Sequence, residues 1–227
     1  MALISLSRRT DIPAFYGDWL IRRLRAGYCL VKHPFRADWI RRVDLGPEAV
    51  DGLVFWTRYP EPFLGHPDEI ERLGLPYYFQ MTLNAMDRLL EPRLPPPEAL
   101  LSSFESLSLR VGPERLIWRF DPILVSSVTP PEEIAGRFEG LCARLAGRCR
   151  RVVVSLAQLY AKTTRRLSKI QDLTVTDLNA DESAGLAEDL LGRLAETARG
   201  HGLEVRICAG LVPPVVDEAL KKKYGSA

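Results

Sequence analysis

Short apolar stretches with the character of β-strands alternate with amphipathic helical stretches along most of the chain. Seven strands are predicted in this way, at residues 2–7, 28–32, 52–57, 77–83, 115–125, 151–156 and 204–209. Strands that are separated by a helix cannot fold back on one another as hairpins, so they must pair in parallel through right-handed crossovers. The alternation therefore predicts an α/β fold.

One face of these predicted strands is polar on most of them. The polar residues are Ser5, Ser7, Lys32, Thr57, Gln80, Thr82, Asn84, Arg119, Asp121, Ser155, Arg206 and Cys208. An open sheet covered by helices on both sides would leave such groups hard to satisfy, whereas a barrel turns one strand face towards its lumen. We therefore expect a single TIM-like (β/α) barrel domain over residues 1–227, with about seven parallel strands and the eighth absent or unrecognised. No Gly-rich fingerprint follows any predicted strand, which disfavours a Rossmann fold.

Composition and cysteine usage narrow the class of protein. The 227 residues are 46% hydrophobic and 26% charged, which is typical of a globular domain. The apolar start at residues 2–6 is too short for a signal peptide, and no run of about 18 apolar residues occurs, so we expect a cytoplasmic protein without a membrane partner. Four cysteines without a C-x-x-C pair, and three histidines, argue against a disulfide framework and against a metal site.

Several connections between the predicted strands carry local signals. Residues 39–43 are expected to form a short helix or turn, and a short terminal helix is expected from about Val215. Thr129, which is followed by two prolines and an acid, is the expected N-cap of a long helix. The polar connection at residues 163–181 lacks proline and glycine, so we expect a lid or short extra elements there.

The predicted strand at residues 115–125 carries two opposite charges within an apolar run. Because side chains alternate along a strand, Leu116, Trp118 and Phe120 share one face. Arg119 and Asp121 share the other face. Burying either charge alone costs several kcal/mol, so the two side chains must pair, reach solvent or serve a ligand. A structural ion pair and a ligand-binding pair both stay open.

Ligands bind at the carboxyl ends of the strands in barrels of this kind. The acids near these ends, Asp11 and Asp121, are the candidate general acid and base, and Lys32 is a candidate base or Schiff-base former. The predicted ligand-binding residues are Arg8, Arg9, Thr10, Thr57, Gln80, Thr82, Arg119 and Ser155. Such a site is cationic, which favours an anionic small molecule or a nucleotide-like ligand. Asp11 has the alternative role of capping the first helix.

A basic run gives a different indication of function. Residues 142–170 contain eight Lys/Arg and no Asp/Glu: Arg144, Arg148, Arg150, Arg151, Lys162, Arg165, Arg166 and Lys169. The run is either a footprint for phosphate or nucleic acid, or a solvated surface. Three functions are therefore weighed: an enzyme or former enzyme, a nucleic-acid-associated protein that uses residues 144–169, and a non-catalytic interaction domain.

Five sequence motifs occur in a fixed order: S-R-R-T-D-I-P-A-F-Y at 7–16, V-K-H-P-F at 31–35, V-F-W-T-R at 54–58, Y-Y-F-Q with T-L within 77–83, and W-R-F-D-P-I at 118–123. Together they resemble a prokaryotic family catalogued as domain of unknown function eighteen-forty-eight. The resemblance extends over roughly residues 4–210. It is specific, because several motifs agree in both sequence and order.

The resemblance implies a barrel related to the radical S-adenosylmethionine (SAM) enzymes. It also implies a C-terminal C-x-x-x-C-x-x-C segment that holds a 4Fe–4S cluster and leaves one iron open for SAM. This chain has no such cysteine triplet, and three thiolates are needed for that cluster. We therefore expect that the chain alone holds neither the cluster nor SAM. Two explanations stay open: a short natural member that lost the cluster, or a fragment that lacks a C-terminal part.

Overall fold

The structure is a computed structural model. It describes residues 2–6, 9–33, 35–36, 38–84 and 86–208. The chain divides into two units. The first unit comprises Met1–Met81 and Leu100–Leu116, and the second comprises Thr82–Ala99 and Ile117–Ala227.

Ten strands occur within the described residues. They are β1 (Ala2–Leu6), β2 (Tyr28–Lys32), β3 (Ile40–Asp44), β4 (Val50–Thr57), β5 (Tyr77–Thr82), β6 (Leu116–Ile123), β7 (Val125–Ser126), β8 (Arg151–Leu156), β9 (Val175–Thr176) and β10 (Glu204–Ile207).

Seven α-helices connect these strands in the described part of the chain. They are α1 (Ile12–Phe15), α2 (Gly17–Ala26), α3 (Pro67–Arg72), α4 (Pro97–Val111), α5 (Pro131–Leu145), α6 (Ala161–Leu167) and α7 (Ala184–Gly200). Short 3-10 helices lie at Glu61–Phe63, Pro113–Arg115 and Asp181–Ser183.

In the first unit, β1, β4 and β5 pair in parallel, with β4 between the other two. β4 is almost wholly buried because both of its faces are covered, which explains its continuous apolar sequence. Phe55 of β4 stacks on Phe79 of β5 with ring centroids 4.6 Å apart, and Phe63 packs against both rings. These aromatic side chains form the centre of the core of this unit.

The predicted second strand of the barrel is the clearest correction to the sequence analysis. β2 has the predicted bounds, but it pairs antiparallel with β3 in a separate two-stranded sheet. The prediction of a helix or turn at residues 39–43 is therefore wrong, because this segment supplies the second strand of a hairpin. Leu30 and Val31 of β2 are 60% and 42% exposed, so only Cys29 of this apolar run is buried.

In the second unit, β6, β8 and β10 pair in parallel, with β8 between β6 and β10. Trp118 of β6 stacks on Phe138 of α5 with ring centroids 5.0 Å apart. The indole N–H of Trp118 donates to the carbonyl of Leu83 at 2.7 Å, which satisfies the one polar atom of a buried side chain. The amide of Leu83 in turn donates to the carbonyl of Arg119 at 3.0 Å.

The α/β class is confirmed by parallel strands with helical crossovers in each unit. The described residues contain six parallel strands rather than about seven, since β2 belongs to the hairpin. The extra elements expected at residues 163–181 are present as α6, β9 and a 3-10 helix. No helix within the described ranges has the length and apolar character needed to cross a membrane. The terminal helix predicted from about Val215 lies outside the described residues.

Thr129 does not cap the helix that follows it, contrary to the prediction. α5 begins at Pro131 with Pro130 as its N-cap residue and without a side-chain cap. The Thr129 hydroxyl instead donates to the carbonyl of Leu124 at 2.9 Å and lies 2.7 Å from the Ser126 hydroxyl. Thr129 therefore closes the turn after β7, because buried hydroxyls there need local partners.

Candidate functional site

Strand β6 separates apolar from charged side chains as its sequence predicts. Leu116, Trp118 and Phe120 are buried, with exposures of 3% or less. Arg119 and Asp121 lie on the opposite face, and each side chain is 12% exposed. The pair is therefore nearly buried yet still reaches the surface of the second unit.

Arg119 and Asp121 form a bidentate ion pair. The Nε atom of Arg119 donates to Oδ1 of Asp121 at 3.1 Å, and Nη2 of Arg119 donates to Oδ2. This fork arrangement is the geometry in which a guanidinium holds a planar oxyanion most strongly. The two charges compensate each other, which allows both side chains to be nearly buried.

Two further polar side chains of the second unit contact Asp121. The hydroxyl of Ser155, on β8, donates to Oδ2 of Asp121 at 3.4 Å. The side-chain amide of Asn84 donates to the backbone carbonyl of Asp121 at 3.3 Å. Ser155 and Asn84 are themselves buried. These contacts define the Asp121 cluster, which consists of Arg119, Asp121, Ser155 and Asn84.

The parallel register explains why these residues meet. β6 and β8 pair with Phe120 opposite Val154, so Asp121 and Ser155 follow at neighbouring positions of the two strands. The register shifts between Phe120 and Ile123, which marks an irregularity at the position of Asp121. The Asp121 cluster therefore lies towards the carboxyl ends of β6 and β8, as predicted for Arg119, Asp121 and Ser155.

Asn84 is the member of this cluster that the predicted set of ligand-binding residues omits. The sequence places it on the polar face of the strand at 77–83, and its position just after β5 is the signal that could have identified it. Thr82, a predicted ligand-binding residue, is half-buried at the last position of β5.

A small cavity lies beside the carboxyl end of β6. Its volume is about 20 Å³, and its lining includes Phe120, Ile123, Ile134 and Arg137. A cavity of this size has room for about one water molecule. This cavity is therefore too small for a substrate.

In the first unit, Asp11 forms a second cluster of a different kind. Its Oδ1 atom accepts from the amide of Ala14 at 3.0 Å, so Asp11 caps α1. Its Oδ2 atom accepts from the Thr57 hydroxyl at 3.0 Å and from the amide of Arg58 at 2.7 Å. Asp11 therefore ties the start of α1 to the end of β4, and its acid–base role stays a prediction.

The other predicted residues of the first unit are less closely connected. The Nη1 atom of Arg9 donates to the backbone carbonyl of Lys32 at 3.1 Å, and both residues are exposed. Lys32 ends the hairpin strand β2, so it does not lie at the end of a parallel strand as predicted. Thr10 is exposed and Gln80 is half-buried on β5. Arg8 lies outside the described residues.

The cysteines of the chain do not fit the iron–sulfur cluster that the family resemblance implies. Burial raises the pKa of Cys142 and of Cys149 to about 12, so these two thiols are poor sources of thiolate. Only Cys29 and Cys208 remain of the four cysteines, which is fewer than the three ligands required. Within the described ranges, no group of three or more His, Cys, Asp and Glu is arranged to hold a metal ion.

Comparison with known proteins gave a family and one distant structural similarity. The family model described as Domain of unknown function (DUF1848) matches residues 3–214. No curated protein matches the sequence. The crystal structure of mannonate dehydratase from Streptococcus suis serotype 2 is similar, with 14% sequence identity and a TM-score of 0.30. The alignment covers 78% of this chain and 55% of the dehydratase, so this chain spans about half the length of that protein.

Proposed function

We propose that this chain, which belongs to the DUF1848 family of domains of unknown function, binds an anionic small molecule through Arg119 and is an enzyme or descends from one. The observation that supports the proposal is the Asp121 cluster, where a bidentate Arg–Asp pair lies near the carboxyl ends of two parallel strands. The TIM-like barrel expected from the sequence is the architecture that this proposal assumes.

The geometry of the pair supports an exchange between Asp121 and a ligand. The guanidinium of Arg119 already holds one planar carboxylate in the fork arrangement. A ligand carboxylate or phosphate has matching oxygen geometry and would compete with Asp121 for the same donors. The 12% exposure of both side chains gives such a ligand a route to the pair.

Asp121 has a defined role in this exchange. Ser155 donates to Oδ2 of Asp121, so the carboxylate keeps one hydrogen-bond donor when Arg119 turns towards a ligand. A carboxylate held beside a bound anion can accept a proton from that ligand or orient a hydroxyl group of it. Asp11 and Lys32 remain predicted contributors to acid–base chemistry, and Arg9, Thr10, Thr57, Gln80 and Thr82 remain predicted ligand-binding residues.

A binding experiment on Arg119→Lys tests the proposal. Inorganic phosphate, citrate and adenosine 5′-monophosphate are titrated by calorimetry against the wild type and the variant. Lysine keeps the charge but loses the fork, so we expect at least one anion to bind the wild type and to bind the variant about tenfold more weakly.

Arg151→Lys is the matched control. Arg151 also pairs with a carboxylate, Glu204, at 3.0 Å, but it lies at the opposite end of β8. Its substitution should leave anion binding unchanged. Equal binding by the wild type and Arg119→Lys, or no binding of any of the three anions, contradicts the proposal.

A further inference from the structure

Four cationic side chains lie on one side of the α6 segment. Lys162, Arg165, Arg166 and Lys169 follow one another at helical spacing, within an arc of about 100° around the helix axis. α6 ends at Leu167, but the amide of Lys169 donates to the carbonyl of Arg166, which continues the turn to Lys169. All four residues are exposed. We call these four residues the α6 basic face.

The α6 basic face carries positive charge that no carboxylate among the described residues pairs with. Residues 157–171 contain no Asp or Glu. In the part of the chain that the structure describes, no ion pair within 4.0 Å is formed by any of the four residues. By contrast, Arg144 lies 3.7 Å from Glu98, and Arg151 lies 3.0 Å from Glu204.

The structure divides the basic run of the sequence into two separate parts. Arg148 and Arg150 precede β8, whereas α6 follows its carboxyl end. A strand of six residues is about 20 Å long, so the two groups of cations lie at opposite ends of β8. The basic run at 144–169 is therefore not one surface, and the α6 basic face is the part of it without ion pairs to the described residues.

Hydrogen bonds hold the connection that carries α6 at both of its ends. The side-chain amide of Asn179 donates to the carbonyl of Ala157 at 2.8 Å, and Gln158 donates to Asn179 at 3.2 Å. Further along, β9 pairs antiparallel with β7. These contacts fix the two ends of the connection that carries α6. Cations on a fixed helix lose less conformational entropy on binding than cations on a mobile loop.

We propose that the α6 basic face binds the phosphodiester backbone of nucleic acid. Successive turns of a helix are about 5.4 Å apart, and a duplex carries one negative charge per about 1.7 Å of its axis, so several phosphates lie within reach of the four cations at once. A membrane-binding helix needs an exposed apolar face opposite its basic face. Within α6 the large apolar side chain opposite the basic face, Leu167, is half-buried, and the exposed Tyr160 precedes the helix as its N-cap residue. The helix therefore lacks a continuous exposed apolar face, which favours nucleic acid.

Fluorescence anisotropy with a labelled oligonucleotide of about 20 nucleotides, single-stranded and as a duplex, tests this surface on the full chain. We expect measurable affinity that falls steeply between about 50 and 200 mM salt. The variant Arg165→Gln/Arg166→Gln should weaken binding about tenfold and reduce the salt slope for the duplex by about 0.9 for each phosphate that it no longer neutralises. The control Arg148→Gln/Arg150→Gln removes the same charge at the other end of β8 and should retain most of the affinity.

The other outcomes of this experiment distinguish binding by the α6 basic face from binding by net charge or by a membrane surface. Equal weakening by both double variants would mean that net charge alone drives binding, and it would overturn the proposal. Salt-insensitive binding, or binding to vesicles of anionic phospholipid without binding to either oligonucleotide, would overturn it too. Circular dichroism checks that the variants are folded. Oligonucleotide binding is judged on the two double variants and small-anion binding on Arg119→Lys, so this proposal and the anion site fail or succeed separately.

Discussion

The two carboxylates at the strand ends, Asp11 in the first unit and Asp121 in the second, have contrasting partners. Asp11 accepts hydrogen bonds from two backbone amides and one hydroxyl, all of them neutral donors fixed by the chain. Asp121 holds a guanidinium and one hydroxyl. A carboxylate bound by backbone amides fixes a loop, whereas a carboxylate bound by an arginine side chain can be displaced by a ligand. Asp11 therefore fixes the start of α1 in the first unit, whereas Asp121 has the partners that the proposed ligand exchange requires.

The largest effect is expected for Asp121→Ala. This change leaves the nearly buried charge of Arg119 without its carboxylate partner, so it should lower the free energy of unfolding by about 3 kcal/mol. Urea denaturation monitored by tryptophan fluorescence measures the loss. The double variant Arg119→Met/Asp121→Leu removes both charges and should recover most of the stability. A loss as large in the double variant as in Asp121→Ala would contradict ion pairing as the cause.

A smaller effect is expected for Asp11→Ala. The change removes the cap of α1 and the acceptor for Thr57 and Arg58, which should lower the free energy of unfolding by about 2 kcal/mol. Asp11→Asn keeps an oxygen for the cap and should cost about half as much. The same urea experiment gives both values. If Asp11→Asn left stability unchanged but abolished anion binding, Asp11 would belong to the ligand site and the comparison would be wrong.

The sequence predicts the charged face of β6 well because strand alternation is local. Trp118 and Phe120 are buried and Arg119 and Asp121 are not, as a period of two requires. The cap by Asp11 is local too, since it precedes Pro13 by two residues. The hydrogen bonds of Asp11 to Thr57 and Arg58 span 46 and 47 residues, and no local pattern indicates a contact at that separation.

The hairpin of β2 and β3 explains why the described residues contain six parallel strands rather than about seven. An apolar run such as residues 28–32 is consistent with a buried parallel strand, and periodicity alone cannot identify its partner. The actual partner, β3, contains Arg41 and Arg42 and has no strong alternation. The pairing is set by tertiary structure. The expectation that Lys32 ends a parallel strand is therefore wrong, while its role in the site stays a prediction.

The smallest losses of stability are expected for the two hydroxyls that donate hydrogen bonds to Asp11 and Asp121. Thr57 donates to Asp11 at 3.0 Å and accepts from the amide of Tyr59 at 3.1 Å, so Thr57→Val should lower the free energy of unfolding by about 1 kcal/mol. Ser155 donates to Asp121 at 3.4 Å, a long hydrogen bond, so Ser155→Ala should cost about 0.5 kcal/mol. Ser155→Ala should weaken anion binding, because this hydroxyl holds the carboxylate that the ligand displaces, and Thr57→Val tests whether Thr57 contacts the ligand as predicted. Weaker binding in Thr57→Val instead would move the ligand site to the first unit.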